Sequence, residues 1–302
     1  MTALLVFITV LALFIISVTI ILFFIGPVIL LQPRRRRAEF YRSLGQPVSP
    51  AELDLPYEEI TVMAEPNIPL SVWFIPAPGP VRGTILYLHG VGDCKIDGLR
   101  ISHMLHHSGY HVLLPDARRH GESGGTYCTY GYYEKFDVMK LIDMICSRTD
   151  ITTGKIGVFG TSMGAAVALQ SAAIDERIAA VIAENSFATL RSIFDDYQKR
   201  MIKVPFHYLR NLVIRRSESI AHFKASDVSP LQAVEEMKTP LLIVYGDMDL
   251  HIAHRYSLML YRAASGPKEL YAIEGAAHNN TWHLAGAAYE HTLLSFFGTH
   301  CS

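Results

Sequence analysis

A mostly parallel β-sheet covered on both faces by helices is the fold class this sequence predicts, and three observations predict it. From residue 84 onward, short continuous apolar runs of strand length alternate with stretches of helical periodicity. A Gly-x-Ser-x-Gly lies where one such run gives way to a small-residue helix. The chain has 302 residues, half of them hydrophobic, which is enough to bury both faces of a large sheet with apolar matter left over.

The surplus comes first. Met1 to Leu31 carries no charged side chain, and Ala3 to Ile25 is almost unbroken Leu, Ile, Val, Phe and Ala. As a helix that run would extend roughly 34 Å at about 1.5 Å per residue, enough for a bilayer core. A cleaved signal peptide fits poorly: no basic segment precedes the run, it is too long, and no small-x-small site follows. Residues 1–31 are therefore expected to be a transmembrane anchor. Pro33 and the cluster Arg34, Arg35, Arg36 and Arg37 come next, then Arg42. Basic flanks stay on the cytoplasmic side, so a single-pass membrane protein with a cytoplasmic catalytic domain is predicted. The same cluster suits anionic lipid headgroups.

Residues 32–56, with Gly45, Pro47, Pro50 and Pro56, read as a basic juxtamembrane segment and linker. The domain proper, 57–302, opens with β-like runs at Glu58–Met63 and Leu70–Ile75, joined into a hairpin by Glu65-Pro66-Asn67. Further strands are predicted at Thr84–Leu88, His111–Leu114, Ile156–Phe159, Ile178–Ala183, Leu241–Tyr245 and Glu269–Ile273. Helices are predicted at Ile96–His107, Tyr132–Cys146, Ala165–Ala173, Ala253–Ala263 and Leu284–Phe297. Ser186 to Asp227 interrupts the alternation. It is aromatic (Phe187, Phe194, Tyr197, Phe206, Tyr208, Phe223) and basic, with eight Lys or Arg against four Asp or Glu. It reads as a cap insertion that shapes a substrate pocket and could meet a bilayer surface. A helical excursion with a solvated charged face is the plainer alternative.

Several function classes drop out. A net charge of −1 gives no reason to expect nucleic acid as a partner. Cys94, Cys128, Cys146 and Cys301 follow no framework and read as free thiols, consistent with a reducing compartment. No Walker-type or dinucleotide-binding loop is present, and no cofactor is implied. His103, His106 and His107 share a helix face, as do His251 and His254. Without nearby carboxylate or Cys ligands they read as solvated helix faces, and no metal is expected.

Ligands of such sheets bind at the carboxyl ends of the strands, and every chemical candidate here follows a predicted strand. In Gly160-Thr161-Ser162-Met163-Gly164 the tight turn would hold the Ser162 hydroxyl out of the sheet, beside a helix N-terminus that favours developing negative charge. A serine needs a base, and the base needs a group to orient it; in this arrangement they follow in the order serine, acid, histidine. Gly246-Asp247-Met248-Asp249 places two carboxylates past a buried strand. Gly275-Ala276-Ala277-His278-Asn279 places a histidine in a small-residue loop. Spacing does not choose between Asp249 and Asp247: one could orient His278 while the other caps the next helix. His89-Gly90-Val91-Gly92 follows an early strand, so the Val91 N–H with that of Met163 would form an oxyanion hole. An ordinary turn is the alternative for His89-Gly90.

With these pieces goes a resemblance. Leu88-His89-Gly90, Pro115-Asp116-Ala117-Arg118-Arg119-His120-Gly121-Glu122-Ser123-Gly124-Gly125, the Ser162 turn, Ser229-Pro230, Gly246-Asp247-Met248-Asp249 and Gly275-Ala276-Ala277-His278 resemble the α/β-hydrolase superfamily. The similarity, over about residues 55 to 298, is to its membrane-anchored, serine-aminopeptidase-like esterase/lipase subgroup. The resemblance implies the α/β-hydrolase fold and assigns the acid to Asp249. His120 departs from the pattern, which more often has Gly there. The expectation is a serine hydrolase cleaving carboxylic esters (EC 3.1.1), carboxylesterase- or lipase-like, on a small-molecule or lipid-like acyl substrate. An acyltransferase or peptidase using the same residues, or a non-catalytic scaffold, are the alternatives.

Overall fold

The alternating pattern closes into a single eight-stranded sheet in the computed structural model, which describes residues 2–202 and 207–302. In chain order the elements begin with the apolar helix α1 (Thr2–Leu31), a short helix α2 (Ala38–Ser43), and the strands β1 (Glu58–Ala64), β2 (Ile68–Ile75) and β3 (Gly83–Leu88). Then come α3 (Leu99–His107), β4 (Tyr110–Pro115), α4 (Glu134–Ser147), β5 (Lys155–Thr161), α5 (Met163–Ala172) and β6 (Ile178–Glu184). The remainder is α6 (Leu190–Ile202), α7 (His207–Ala221), α8 (Pro230–Glu236), β7 (Leu241–Gly246), α9 (Arg255–Ala263), β8 (Lys268–Ile273) and α10 (Thr281–His300).

Strand order is β1-β2-β4-β3-β5-β6-β7-β8. β1 and β2 form the predicted hairpin, Ala64 opposite Ile68, and β2 is antiparallel to β4; every later pairing is parallel. β3 and β4 are buried along their whole length, which is why they read as unbroken apolar runs rather than alternating ones. Two apolar layers sandwich the sheet. One gathers α4, α5 and α8 over strand residues such as Leu86, Val158 and Ile243; the other gathers α3 and α10 over Ile85, Phe159 and Leu242.

Two helices escaped the pattern reading. α2 has six residues, too few for periodicity to register. α8 has seven, but carries a start signal: Ser229 Oγ accepts from the Gln232 N–H at 3.2 Å and Pro230 opens the helix. The last helix begins earlier than its periodicity suggested and bends at Gly286, where φ is 52°. The interruption at 186–227 holds α6 and α7. Phe206 and Lys203 lie outside the described residues.

α1 is long and apolar enough to cross a membrane. It is exposed from Thr2 to Ser17. Beyond that one face is covered, with Pro27, Leu30 and Leu31 buried. α7 lies antiparallel against this part: Gly26 meets Val213, and the Arg216 guanidinium sits 4.7 Å over the Phe23 ring. Segment 32–56 folds against the sheet domain through α2, a 3-10 turn (Pro50–Leu53) and buried Tyr41, Val48 and Leu55.

Candidate active site

β5 delivers Ser162 to the carboxyl edge of the sheet and α5 carries the chain away. The turn is so tight that Ser162 adopts φ 54° and ψ −115°, a region an L-residue occupies only when its surroundings compel it. Its glycines are dictated by contact. A Cβ at Gly160 would lie 2.2 Å from the Gly164 carbonyl oxygen, and one at Gly164 would lie 1.9 Å from that of Leu88. The Ser162 N–H donates to the Glu184 carbonyl at 2.8 Å, tying the turn to the end of β6.

The loop after β8 brings His278 to the same place. Its Nε2 lies 3.1 Å from Ser162 Oγ and its Nδ1 lies 2.6 Å from Asp249 Oδ2. The Asp249 carboxylate is fully buried, and its other oxygen accepts the N–H groups of His251 (2.7 Å) and Ile252 (2.9 Å). An acceptor-only carboxylate on Nδ1 places the imidazole proton there and leaves Nε2 free to accept from the serine hydroxyl. Of the two carboxylates left open by spacing, only Asp249 reaches His278. Asp247 instead accepts the Gly275 N–H at 2.7 Å, holding the base of the histidine loop.

Residues 90–93 form a β-turn in which the Asp93 N–H donates to the Gly90 carbonyl at 3.2 Å and Gly92 takes φ 80°. The turn stands against the serine: a Cβ on Gly90 would touch Ser162 Cβ at 3.5 Å. His89 holds it from within. The Ala117 N–H donates to His89 Nε2 at 3.0 Å, so Nδ1 bears the proton and donates to the Gly90 carbonyl at 2.8 Å. The Val91 N–H has no acceptor among the described residues. Met163 opens α5, so its N–H is among the free first-turn donors.

Pattern reading missed Asn185. Its Nδ2 donates to the His278 carbonyl at 3.2 Å and its Oδ1 accepts the Gly246 N–H at 3.1 Å, so one side chain ties the histidine loop to the end of β7. Asn185 has φ 52°, which asparagine tolerates better than most residues. The signal was the polar run Glu184-Asn185-Ser186 directly after an apolar strand. Glu184 is buried behind the site, accepting from Thr281 Oγ1 at 2.6 Å and from the Tyr289 hydroxyl; burial raises its carboxyl above the ordinary range.

A cleft of about 1040 Å3 opens beside Ser162 and His278 and runs to Phe40, Tyr41 and Leu44 of the segment after α1. Asp97 faces it, accepting from the Tyr87 hydroxyl at 2.6 Å. Asp97 is open to the cleft, yet the protein packed around it, with Asp93 nearby, pushes its carboxyl up to about 6. Of the histidines set aside earlier, His251 stands beside the site, its ring 5.3 Å from that of His278, and His103 lines the cleft. His107 bonds the His103 carbonyl, and His106, expected on a solvated face, is buried against the Pro76 carbonyl at 2.7 Å. His120 is buried too, on the Arg118 carbonyl at 3.0 Å, and burial lowers its ring to about 3. Among the described residues no group of three or more His, Cys, Asp or Glu could hold a metal ion.

A largely parallel sheet with an antiparallel second strand, a serine on a strand-to-helix turn and a histidine after the last strand define an α/β hydrolase. Residues 79–233 match the family model described as serine aminopeptidase, S33, about half of the chain, and the protein belongs to that family. It is similar to the uncharacterized protein YqkD of Bacillus subtilis, 30% identical over 222 residues covering 73% of this chain and 72% of that one. The α/β hydrolase domain-containing protein WAV2 of Arabidopsis thaliana is 28% identical over 264 residues, covering 84% and 82%. Among solved structures, the Pyrococcus furiosus esterase Pf2001 is 25% identical, with a TM-score of 0.70 over 84% of this chain and 96% of that one. The protein is thus a hydrolase of the α/β-hydrolase superfamily.

Proposed function

We propose that the protein is a membrane-anchored serine esterase acting on apolar acyl substrates through an acyl-enzyme. The observation that carries this reading is the continuous contact from Ser162 Oγ through the His278 ring to Asp249; the Val91 and Met163 N–H groups would supply the oxyanion donors. His278 Nε2 takes the hydroxyl proton as Ser162 attacks the acyl carbon. The two N–H groups receive the oxyanion, and buried Asp249 stabilises the imidazolium. His278 then protonates the leaving group and activates water to release the acid. The esterase name of the Pyrococcus furiosus relative supports the ester as substrate. The cleft's apolar wall of Phe40 and Leu44 suits an acyl chain.

α1 supplies the anchor in this reading: 30 residues at about 1.5 Å each make some 45 Å, more than a bilayer's apolar core. Arg34, Arg37 and Arg42 remain exposed beyond it, as headgroup contacts on the cytoplasmic side require. A reporter fused after Ser302 should be active only as a cytoplasmic fusion; activity confined to the lumen or periplasm would reverse the orientation.

The test of function is a panel of p-nitrophenyl esters, thioesters and peptides on the full chain in detergent. Turnover should be greatest on the esters and should vanish with Ser162→Ala. Turnover unchanged in that variant would remove Ser162 from its role. A second reading, cleavage of an N-terminal residue from a peptide, draws on Asp97 in the cleft wall, which would match a substrate ammonium. Preference for aminoacyl substrates in the same panel would favour it.

A further inference from the structure

The basic cluster after α1 does not act as one surface. Arg34, Arg37 and Arg42 are exposed, whereas Arg35 and Arg36 turn inward. Arg35 donates to the Ser123 carbonyl at 3.1 Å and the Gly125 carbonyl at 3.3 Å. Arg36 reaches the turn that presents Val91. Its backbone N–H donates to the Gly92 carbonyl at 3.0 Å, and its guanidinium forms an ion pair with Asp93. Tyr41, buried in α2, donates its hydroxyl to the same Asp93 oxygen at 3.2 Å. The Phe40 ring lies 4.6 Å under the Arg36 guanidinium. Upstream, the Leu31 carbonyl accepts the Cys128 N–H at 2.8 Å and the Leu30 carbonyl accepts the Tyr130 hydroxyl at 2.8 Å. The arm is therefore fastened at both ends and along its middle. A topogenic or headgroup-binding arginine would need none of these inward bonds.

The geometry points to Arg36 as a positioning residue: from the arm below the anchor it holds turn 90–93 so that the Val91 N–H stays aimed at the developing oxyanion. This rests on the esterase reading above. His89 braces one side of the turn and Arg36 with Tyr41 braces the other, leaving Val91 between two fixed points. An oxyanion donor works because it is preorganised before charge develops. Losing the outer brace leaves the donor present but looser, so the cost falls below that of deleting a donor, which is about 100- to 1000-fold.

The experiment uses the full chain in detergent and compares wild type with Arg36→Ala, Arg36→Lys, Asp93→Asn and the Arg36→Ala/Asp93→Asn pair. Active sites are counted from the p-nitrophenolate burst, so misfolded protein is excluded. Expected is a fall in kcat of about 10-fold in Arg36→Ala with KM nearly unchanged. A boronic acid, which forms a tetrahedral adduct, should lose affinity by a similar factor. Arg36→Lys should recover most of the loss, and the double variant should be no worse than either single one. Wild-type kcat per active site and wild-type boronate affinity in Arg36→Ala would overturn the proposal, as would a change confined to KM. Ser162→Ala runs alongside. Retained turnover there would bring down the esterase reading itself; a dead Ser162→Ala with an unaffected Arg36→Ala would bring down only the positioning role.

Discussion

Asp247 and Asp249 stand two residues apart after the same strand, yet their carboxylates do different work. Asp249 Oδ2 meets His278 Nδ1 while Asp247 Oδ1 holds the Gly275 N–H. Asparagine at 249 can present an NH2 group to Nδ1 and stabilise the wrong tautomer, which in a serine hydrolase costs about 10^4 in kcat. Asparagine at 247 still offers an oxygen to Gly275. Asp249→Asn should therefore lose about four orders of magnitude in ester turnover and Asp247→Asn less than about one, measured as kcat per active site. The reverse ranking would exchange their roles. Asn185 belongs to the same scale: it carries no chemistry, but fastens the carbonyl of His278 to β7.

The element that most constrains the site is α5, every residue of which is buried. Gly164, Ala165, Ala166 and Ala168 let the helix lie close against β3, and Ala166 joins Leu30 and Leu31 of α1 in one apolar cluster. A Cβ at 164 would strike the backbone of Leu88 and His89. Backbone cannot swing aside as a flexible side chain can, so the helix or β3 must shift. Gly164→Ala should destabilise by several kcal/mol and abolish cooperative thermal unfolding or activity. A variant with wild-type Tm and turnover would show that the turn has slack the geometry denies. α6 and α7, by contrast, tie into the molecule through side chains such as Tyr256, whose hydroxyl donates to the Ser192 carbonyl at 2.9 Å, and through α1.

Across the whole molecule the cleft has an electrostatic cost. Enclosure raises Asp97 to about 6, above the ordinary carboxylate range. Below about pH 4 the group is neutral in folded and unfolded chains alike, so its relative contribution to stability is most favourable there. As pH rises through about 6 the folded chain acquires a charge that water reaches only from the cleft, and that advantage is lost. Asp97→Asn removes the charge and keeps an acceptor for Tyr87. Discounting for the side of Asp97 open to the cleft, the gain is about 1 kcal/mol, or some 2–4 °C in Tm. Asp97→Asn should melt higher than wild type by that amount at pH 8 and together with it at pH 4. The same difference at both pH values would mean that the carboxyl's ionisation contributes nothing.

What the sequence by itself determined is whatever rests on neighbours along the chain. Continuous apolar runs set the strands because both faces of the sheet are covered. Glycines two residues either side of Ser162 set the turn because no side chain fits there. Serine, acid and histidine could be ordered because each follows a strand. Short helices were missed, as at α2 and α8, and a boundary slipped where a bend at Gly286 broke the periodicity of α10. Tertiary structure alone decided which way side chains point once distant segments meet. The residues left both carboxylates open and only the resemblance favoured Asp249; the fold brings it to His278 across 29 positions. Four arginines look alike in a row, yet Arg36 reaches Asp93 across 57 positions and Arg35 turns onto the Ser123 and Gly125 carbonyls, while Arg34 and Arg37 face solvent. Such directions depend on the packing of elements remote in sequence, and no local spacing encodes them.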